Sequence, residues 1–208
     1  MTLRGLYVIT DGACCTSAGL QRLEAVLRGG ASLVQLRCKP QPPDRAWGQA
    51  AAALGRRFGV PVLVNDDVGY ALAIGADGAH LGRDDGSVRE ARTRLGPRAL
   101  IGASCYASLE RARQMTDEGA DYLAFGRFYP SATKPEATPA PLSVLTAARS
   151  LGRPIVAIGG ILPDNGAALL AAGADMLAVI DGVFGQPDIE AAARSYLPLF
   201  RSGDESES

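Results

Sequence analysis

Within the phrase "QLRCK", Arg37 and Lys39 stand two residues apart and Gln35 two residues before them. On an extended segment that spacing puts all three side chains on one side. Farther along, Asn65 and Asp66 adjoin in "VNDD", Asp85 closes "HLGRDD", and Lys134 sits alone in the Ser-, Thr- and Pro-rich run "FGRFYPSATKPEATPAPL". Two carboxylates with cations near them, and no cluster of His or Cys, suit a hard, oxygen-seeking ion such as Mg²⁺ shared with phosphate oxygens. If Asp66 and Asp85 offset one Mg²⁺, then Arg37, Lys39 and Lys134 face a substrate of about −3, an ionised diphosphate rather than a neutral metabolite. The Gly159-Gly160 pair and the turn at Ile180-Asp181 offer backbone N–H groups for a second, simpler phosphate.

Each feature also has a plainer reading. Asp66 and Asp67 precede "VGYALAI" and serve equally well as helix caps. Arg83, Asp84 and Asp85 can form a solvated charge cluster, and Gly-Gly can be a tight strand exit. His80, inside an apolar phrase and the only histidine in the chain, reads as a hydrogen-bonded core residue. Cys38 and Cys105 read as bystander thiols, since neither has a general base beside it in the sequence.

The elements that must position these groups are announced by a repeat. "GGASLVQL", "GADGAHLG", "GADYLAFG" and "GADMLAVI" share Gly-Ala-Asp or Gly-Ala-Ser followed by a short apolar run, the signature of a helix ending at glycine and passing into a buried strand. "GVPVLVND", "GPRALIGAS" and "GRPIVAIGG" mark strands between them. With "GLYVITD" this predicts eight strands near 5–10, 32–37, 60–65, 77–81, 99–104, 121–126, 154–159 and 175–180. Stretches with apolar residues at helical spacing fall between them, among them "LQRLEAVLR", "DRAWGQAAAALGRRF", "SVREARTRL", "SLERARQM", "LSVLTAARSL" and "NGAALLAA". Strict alternation implies an α/β fold with parallel strands, closed as a single (β/α)8 TIM barrel. The alternative, an open doubly wound sheet, lacks its G-x-G-x-x-G after the first strand. Every candidate residue then falls at the C-terminal end of a strand, the end at which such barrels do their chemistry.

Bulk properties narrow the partners. The chain has 208 residues, 47% of them hydrophobic, with 21 basic and 22 acidic residues for a net charge of −1. That suffices for one well-buried core, read here as residues 1–202, with 203–208 an acidic disordered tail. No basic run or stripe points to nucleic acid, and neither a signal peptide nor a spanning segment points to a membrane. A cytoplasmic protein, a possible homo-oligomer, is expected, with its four cysteines as reduced thiols. The cysteine spacing does not suit zinc.

The ordered phrases "LYVITD", "VQLRCK", "VNDD", "GADGAHLGRDD", "IGASC", "GADYLAFGRFYPSATKP", "VAIGGI" and "GADMLAVI" resemble the thiamine phosphate synthase family, also called thiamine phosphate pyrophosphorylase, over about residues 3–185. The "QLR-x-K" phrase, the Asn-Asp pair and the T-K-P loop are the specific elements. The resemblance implies that 4-amino-2-methyl-5-pyrimidinylmethyl diphosphate is joined to 4-methyl-5-(2-phosphonooxyethyl)thiazole, giving thiamine phosphate and diphosphate with Mg²⁺. By motif, Gln35, Arg37, Lys39, Asn65, Ser104 and Lys134 would hold the pyrimidine diphosphate, with Arg37, Lys39, Ser104 and Lys134 as the catalytic set. Asp66 and Asp85 would ligate Mg²⁺. Ser131, Ala132, Thr133, Gly160, Ile180 and Asp181 would meet the thiazole phosphate, and the loop 127–141 would be a lid. Cys38 and Asp181 depart from the family pattern, which often has an acidic residue and a Ser or His at these places. Rival readings are a thiazole tautomerase of the same family, which would need a histidine where this chain has Arg127, and a non-catalytic barrel that binds thiamine precursors. A third, another phosphate-binding barrel such as an epimerase or aldolase, would need a Schiff-base lysine or paired inner acids.

Overall fold

The computed structural model describes residues 3–16, 19–39, 43–130 and 138–201. Eight parallel strands follow one another round a closed barrel, and the last pairs with the first. They are β1 (Gly5–Ile9), β2 (Leu33–Leu36), β3 (Val62–Asn65), β4 (Gly78–Leu81), β5 (Leu100–Tyr106), β6 (Tyr122–Gly126), β7 (Ile155–Ile158) and β8 (Met176–Val179). All eight expected strands are present. The helices that join them are α1 (Gly19–Arg28), α2 (Arg45–Phe58), α3 (Val68–Ile74), α4 (Val88–Leu95), α5 (Leu109–Asp117), α6 (Ser143–Ala148) and α7 (Gly166–Ala171). Three short helices follow β8: α8 (Asp181–Phe184), α9 (Ile189–Arg194) and α10 (Pro198–Arg201). None of the described helices is long and apolar enough to cross a membrane.

Strand alternation divides the core in two. Leu6, Val8, Val34, Leu36, Val62, Val64, Ala79, Leu81, Leu123, Phe125, Leu177 and Val179 pack outward against the helices, while Tyr7, Ile9, Leu33, Leu63, Tyr122, Val156, Met176 and Ala178 fill the barrel interior. Gly102, on an inward-facing position of β5, has no room for a side chain: a Cβ there would lie 1.9 Å from the Tyr122 ring. Glycine on β5 is therefore what admits the Tyr122 ring on β6.

The Gly-Ala-Asp repeat has a structural cause at the opposite end from the site. Asp77, Asp121 and Asp175 accept a backbone N–H from the start of the preceding strand, from Val62 at 2.8 Å, Ile101 at 2.6 Å and Ile155 at 2.7 Å. Each also donates its own N–H back to the same residue, at 2.8 to 2.9 Å. These clasps fix strand register at the N-terminal rim, where a barrel invests in stability. The glycine before each clasp ends the preceding helix turn with positive φ at Gly75, Gly119 and Gly173.

Several expectations fall on undescribed residues. Ser131, Ala132, Thr133, Lys134 and the tail 203–208 lie outside the described residues, as does the centre of the expected lid. The base of this loop is described and is pinned: Ala140 N donates to Arg127 O at 2.7 Å, while Phe128 N and Tyr129 N donate to Ile158 O and Gly159 O.

Candidate functional site

Four strand ends converge on the carboxylate side of the mouth. At the end of β3, Asn65 is paired with His80 of β4, and the chain then turns through Asp66 with φ +66°, a left-handed conformation uncommon for a residue with a side chain. Asp66 N donates to His80 O at 2.9 Å, so β4 holds this strained turn in place. Such strain concentrates at functional sites. The next residue, Asp67, takes the plainer role foreseen for the pair: its carboxylate accepts from Tyr70 N at 2.8 Å and caps α3. The two neighbouring aspartates thus divide into a cap and a site residue.

Asp66 faces Lys39, with Nζ to Oδ2 at 3.0 Å, and Asp85, which is itself anchored by Gly82 N at 2.8 Å. Burial works against the charge on Asp66, but hydrogen bonding with Asp85, Lys39 and Asn65 and the charge on Lys39 outweigh it and hold its carboxyl below the usual carboxylate range. Asp85 goes the other way: burial, the hydrogen bond with Asp66 and repulsion from its charge raise it. Two carboxylates this close repel when both are ionised, and a divalent cation between them would relieve that repulsion. Among the described residues no group of three or more His, Cys, Asp or Glu is gathered for a metal. A pair suits Mg²⁺ nonetheless, which is commonly held by one or two carboxylates with water and substrate phosphate completing its shell. A groove lined by Asp66, Asp67, Val68, Gly69, Asp85 and Arg94 opens beside the pair.

On β2, Arg37 is half-buried in the strand exit, its backbone N–H donating to Thr10 Oγ1 at 2.8 Å, which ties it to the end of β1. Cys38 follows and is disulfide-bonded, so the expectation of four reduced thiols is corrected at this position. That expectation came from compartment chemistry, whereas a disulfide depends on which sulfurs the fold brings together, which sequence spacing does not show. Cys14 and Cys105 are free and buried, and burial pushes both thiols up to about 12, which leaves them unreactive.

Across the mouth, Gly159 and Gly160 have φ of +106° and +63°, and a Cβ on Gly160 would lie 2.2 Å from Pro130 O. The pair therefore admits the loop after β6 against the end of β7. Ile180 is half-buried at the end of β8, and Asp181 opens α8 as an exposed residue.

A part of the site that sequence reasoning did not assemble lies beneath the mouth. His80 Nε2 is 2.9 Å from Ser104 Oγ, and His80 Nδ1 is 2.8 Å from the Tyr122 hydroxyl. Tyr122 in turn meets the Tyr7 hydroxyl at 2.8 Å, and Gln35 Nε2 donates to Tyr7 at 2.5 Å. Five residues from five strands thus form one polar chain through the barrel interior, from Gln35 to Ser104. The period-two position of Tyr7, Gln35, His80, Ser104 and Tyr122 was the available signal, since each lies on an inward-facing register of its strand.

A closed barrel with phosphate-suited strand ends and paired carboxylates defines a phosphate-handling (β/α)8 enzyme class. Residues 6–183 match the thiamine monophosphate synthase family, and the chain belongs to that family. It is 50% identical over 200 residues to the thiamine-phosphate synthase of Methylobacillus flagellatus, covering 95% of this chain and 96% of that one. The thiamine-phosphate synthase of Thiobacillus denitrificans is likewise 50% identical, over 204 residues and 97% of each chain. The solved thiamine phosphate pyrophosphorylase of Pyrococcus furiosus superposes with a TM-score of 0.85 at 34% identity, covering 95% of this chain and 96% of its own.

Proposed function

We propose that the chain is a transferase that joins 4-amino-2-methyl-5-pyrimidinylmethyl diphosphate to 4-methyl-5-(2-phosphonooxyethyl)thiazole, forming thiamine phosphate and diphosphate. Family membership supports the reaction, and the observation that carries the site assignment is the Lys39, Asp66 and Asp85 cluster. It supplies a cation for the leaving group and a carboxylate pair for Mg²⁺ at one strand-end surface.

The C–O bond of the pyrimidinylmethyl group breaks with its electron pair leaving on diphosphate. The electron-rich aminopyrimidine stabilises the resulting cation, and the thiazole nitrogen lone pair then forms the new C–N bond. No protein nucleophile is required. Arg37, Lys39 and Lys134 neutralise the departing diphosphate, Gln35, Asn65 and Ser104 orient the pyrimidine, and the backbone at Gly160 and Ile180-Asp181, with Ser131, Ala132 and Thr133, receives the thiazole phosphate. Asp181, being exposed, can turn its carboxylate away from that phosphate. Asp66 and Asp85 would hold Mg²⁺, which when bound offsets charge on the diphosphate oxygens. Closure of the loop 127–141 would exclude water that could capture the cation.

The deciding experiment mixes purified protein with both substrates, with Mg²⁺ or with EDTA, and measures thiamine phosphate. Product that appears only with Mg²⁺ is expected. Absence of product under both conditions, with both substrates still raising the melting temperature, would move the assignment to a binding barrel.

A further inference from the structure

The hydrogen-bonded chain from Gln35 to Ser104 has a direction. Gln35 presents Nε2 to Tyr7, and an amide nitrogen only donates. The Tyr7 oxygen therefore accepts, and its own proton goes to the Tyr122 oxygen. Tyr122 then gives its proton to His80 Nδ1, which places the imidazole proton on Nε2, facing Ser104 Oγ. Reversing the order would aim both Gln35 Nε2 and the Tyr122 hydroxyl at Tyr7 and turn the Tyr7 proton away from both, at a residue 1% exposed. A stranded buried donor of that kind is left with its full desolvation penalty. Burial raises both phenols well above their ordinary range, so each keeps the proton the chain needs.

The order has two consequences for Ser104. His80 Nε2 carries a proton, so it does not deprotonate Ser104, and the His80–Ser104 pair is not a nucleophilic dyad despite its 2.9 Å separation. With its oxygen accepting from His80, the Ser104 hydroxyl has its own proton to give.

We propose that the Tyr7–Tyr122–His80 chain orders its protons so that Ser104 is a fixed hydrogen-bond donor to a ring nitrogen of the substrate, with Tyr122 as the positioning residue that keeps the order. This rests on the function proposed above and adds a rule of selection. A 4-aminopyrimidine offers a lone pair at the ring nitrogen beside its amino group. The 4-oxo counterpart carries N–H there, so that two donors would meet. Ser104 Oγ keeps a second lone pair, but accepting there would leave its own proton, already turned away from His80, without the partner that the ring nitrogen provides.

The test is calorimetric binding of two probes without the thiazole: 4-amino-2-methyl-5-pyrimidinylmethyl monophosphate and its 4-oxo counterpart. The native protein is expected to bind the amino probe at least about tenfold more tightly, since a buried site built around one hydrogen-bond direction rejects its mismatch strongly. Tyr122→Phe cuts the chain at its centre, leaving His80 and Ser104 to choose either direction, and should bring the two probes within about twofold. Should Tyr122→Phe not fold, Tyr7→Phe cuts the chain one link earlier and carries the same expectation. A native protein that prefers the oxo probe or neither, or a cut chain that keeps the native ratio, would overturn the proposal. A merely structural role for Tyr122 weakens both probes in proportion and leaves that ratio unchanged. The product assay separates the two levels: no thiamine phosphate from the native protein defeats the reaction assignment, whereas product together with an unchanged ratio in the cut chain defeats only the ordering of protons.

Discussion

Lys39 Nζ lies 3.0 Å from Asp66 Oδ2, an ion pair that joins the loop after β2 to the turn after β3. The lysine is 56% exposed on its side chain, and pairs this open to water contribute little to folding. On the proposed assignment its value is local: the cation that would meet an anionic substrate is held in place by a carboxylate that would meet a metal.

Lys39→Ala should therefore separate catalysis from stability. A loss of about 10²–10³ in kcat is expected, the size seen when one transition-state charge contact is removed, with the melting temperature nearly unchanged. Lys134→Ala is expected to lose a similar factor, from its place in the T-K-P phrase. Steady-state kinetics alongside thermal melts provide the check, and a normal kcat in both variants would remove the lysines from the leaving-group site.

The clasp at the other rim should behave in the opposite way. Asp121 accepts from Ile101 N and pairs with Arg92 at 2.6 Å, so Asp121→Ala leaves a backbone N–H at the start of β5 without its acceptor. A loss of about 1–3 kcal/mol in urea unfolding is expected, with kcat/KM of the folded fraction preserved, because the chemistry belongs to the other end of the barrel. A drop in kcat/KM comparable to that of Lys39→Ala would contradict this division of the two rims.

How far the fold could be read from the chain follows from the same clasps. Gly-Ala-Asp recurs because three strand pairs need the same carboxylate in the same place, so the repeat counts strands and sets their order. The C-terminal helices α8 to α10, of four to six residues, are too short to show an apolar period, and they did not stand out. Asp66 and Asp67 are indistinguishable as neighbours in a string; only the left-handed turn at Asp66 and the cap bond at Asp67 tell them apart. The Cys38 disulfide is hidden in the string for a similar reason. The chain through Tyr7, Tyr122 and His80 joins residues 28 to 115 positions apart, and its existence depends on inter-strand register, which local pattern does not supply.

Gly102 tests that register directly. A Cβ there would sit 1.9 Å from the Tyr122 ring, with the ring atoms around it hardly farther away. Gly102→Ala should displace the ring and disturb the His80 and Tyr7 contacts with it. A destabilisation of about 1–3 kcal/mol is expected from overpacking, and Gly102→Ala combined with Tyr122→Phe should not restore it, since the clash is with ring carbons as well as with the hydroxyl. Thermal melts of both variants provide the check; full recovery in the double variant would place the strain at the hydroxyl alone.

Asp85 offers a test in which stability and function pull apart. Burial and the neighbouring Asp66 raise its carboxyl above the ordinary value. A group raised on folding is held less comfortably as its charged form in the native state, so without a metal it costs stability above its folded pKa. That cost fades as pH falls through the folded pKa and is gone below the unfolded carboxylate value of about 4. Asp85→Asn removes the charge and keeps an oxygen able to accept from Gly82 N. In EDTA the variant should melt higher than the native protein at pH 7, with the gap closing as pH falls toward about 4. With Mg²⁺ present the ordering should reverse in activity, the variant needing more Mg²⁺ for half-maximal rate. If Asp85→Asn instead melts lower at pH 7 in EDTA, the two carboxylates are not in repulsion, and the case for a cation between them fails.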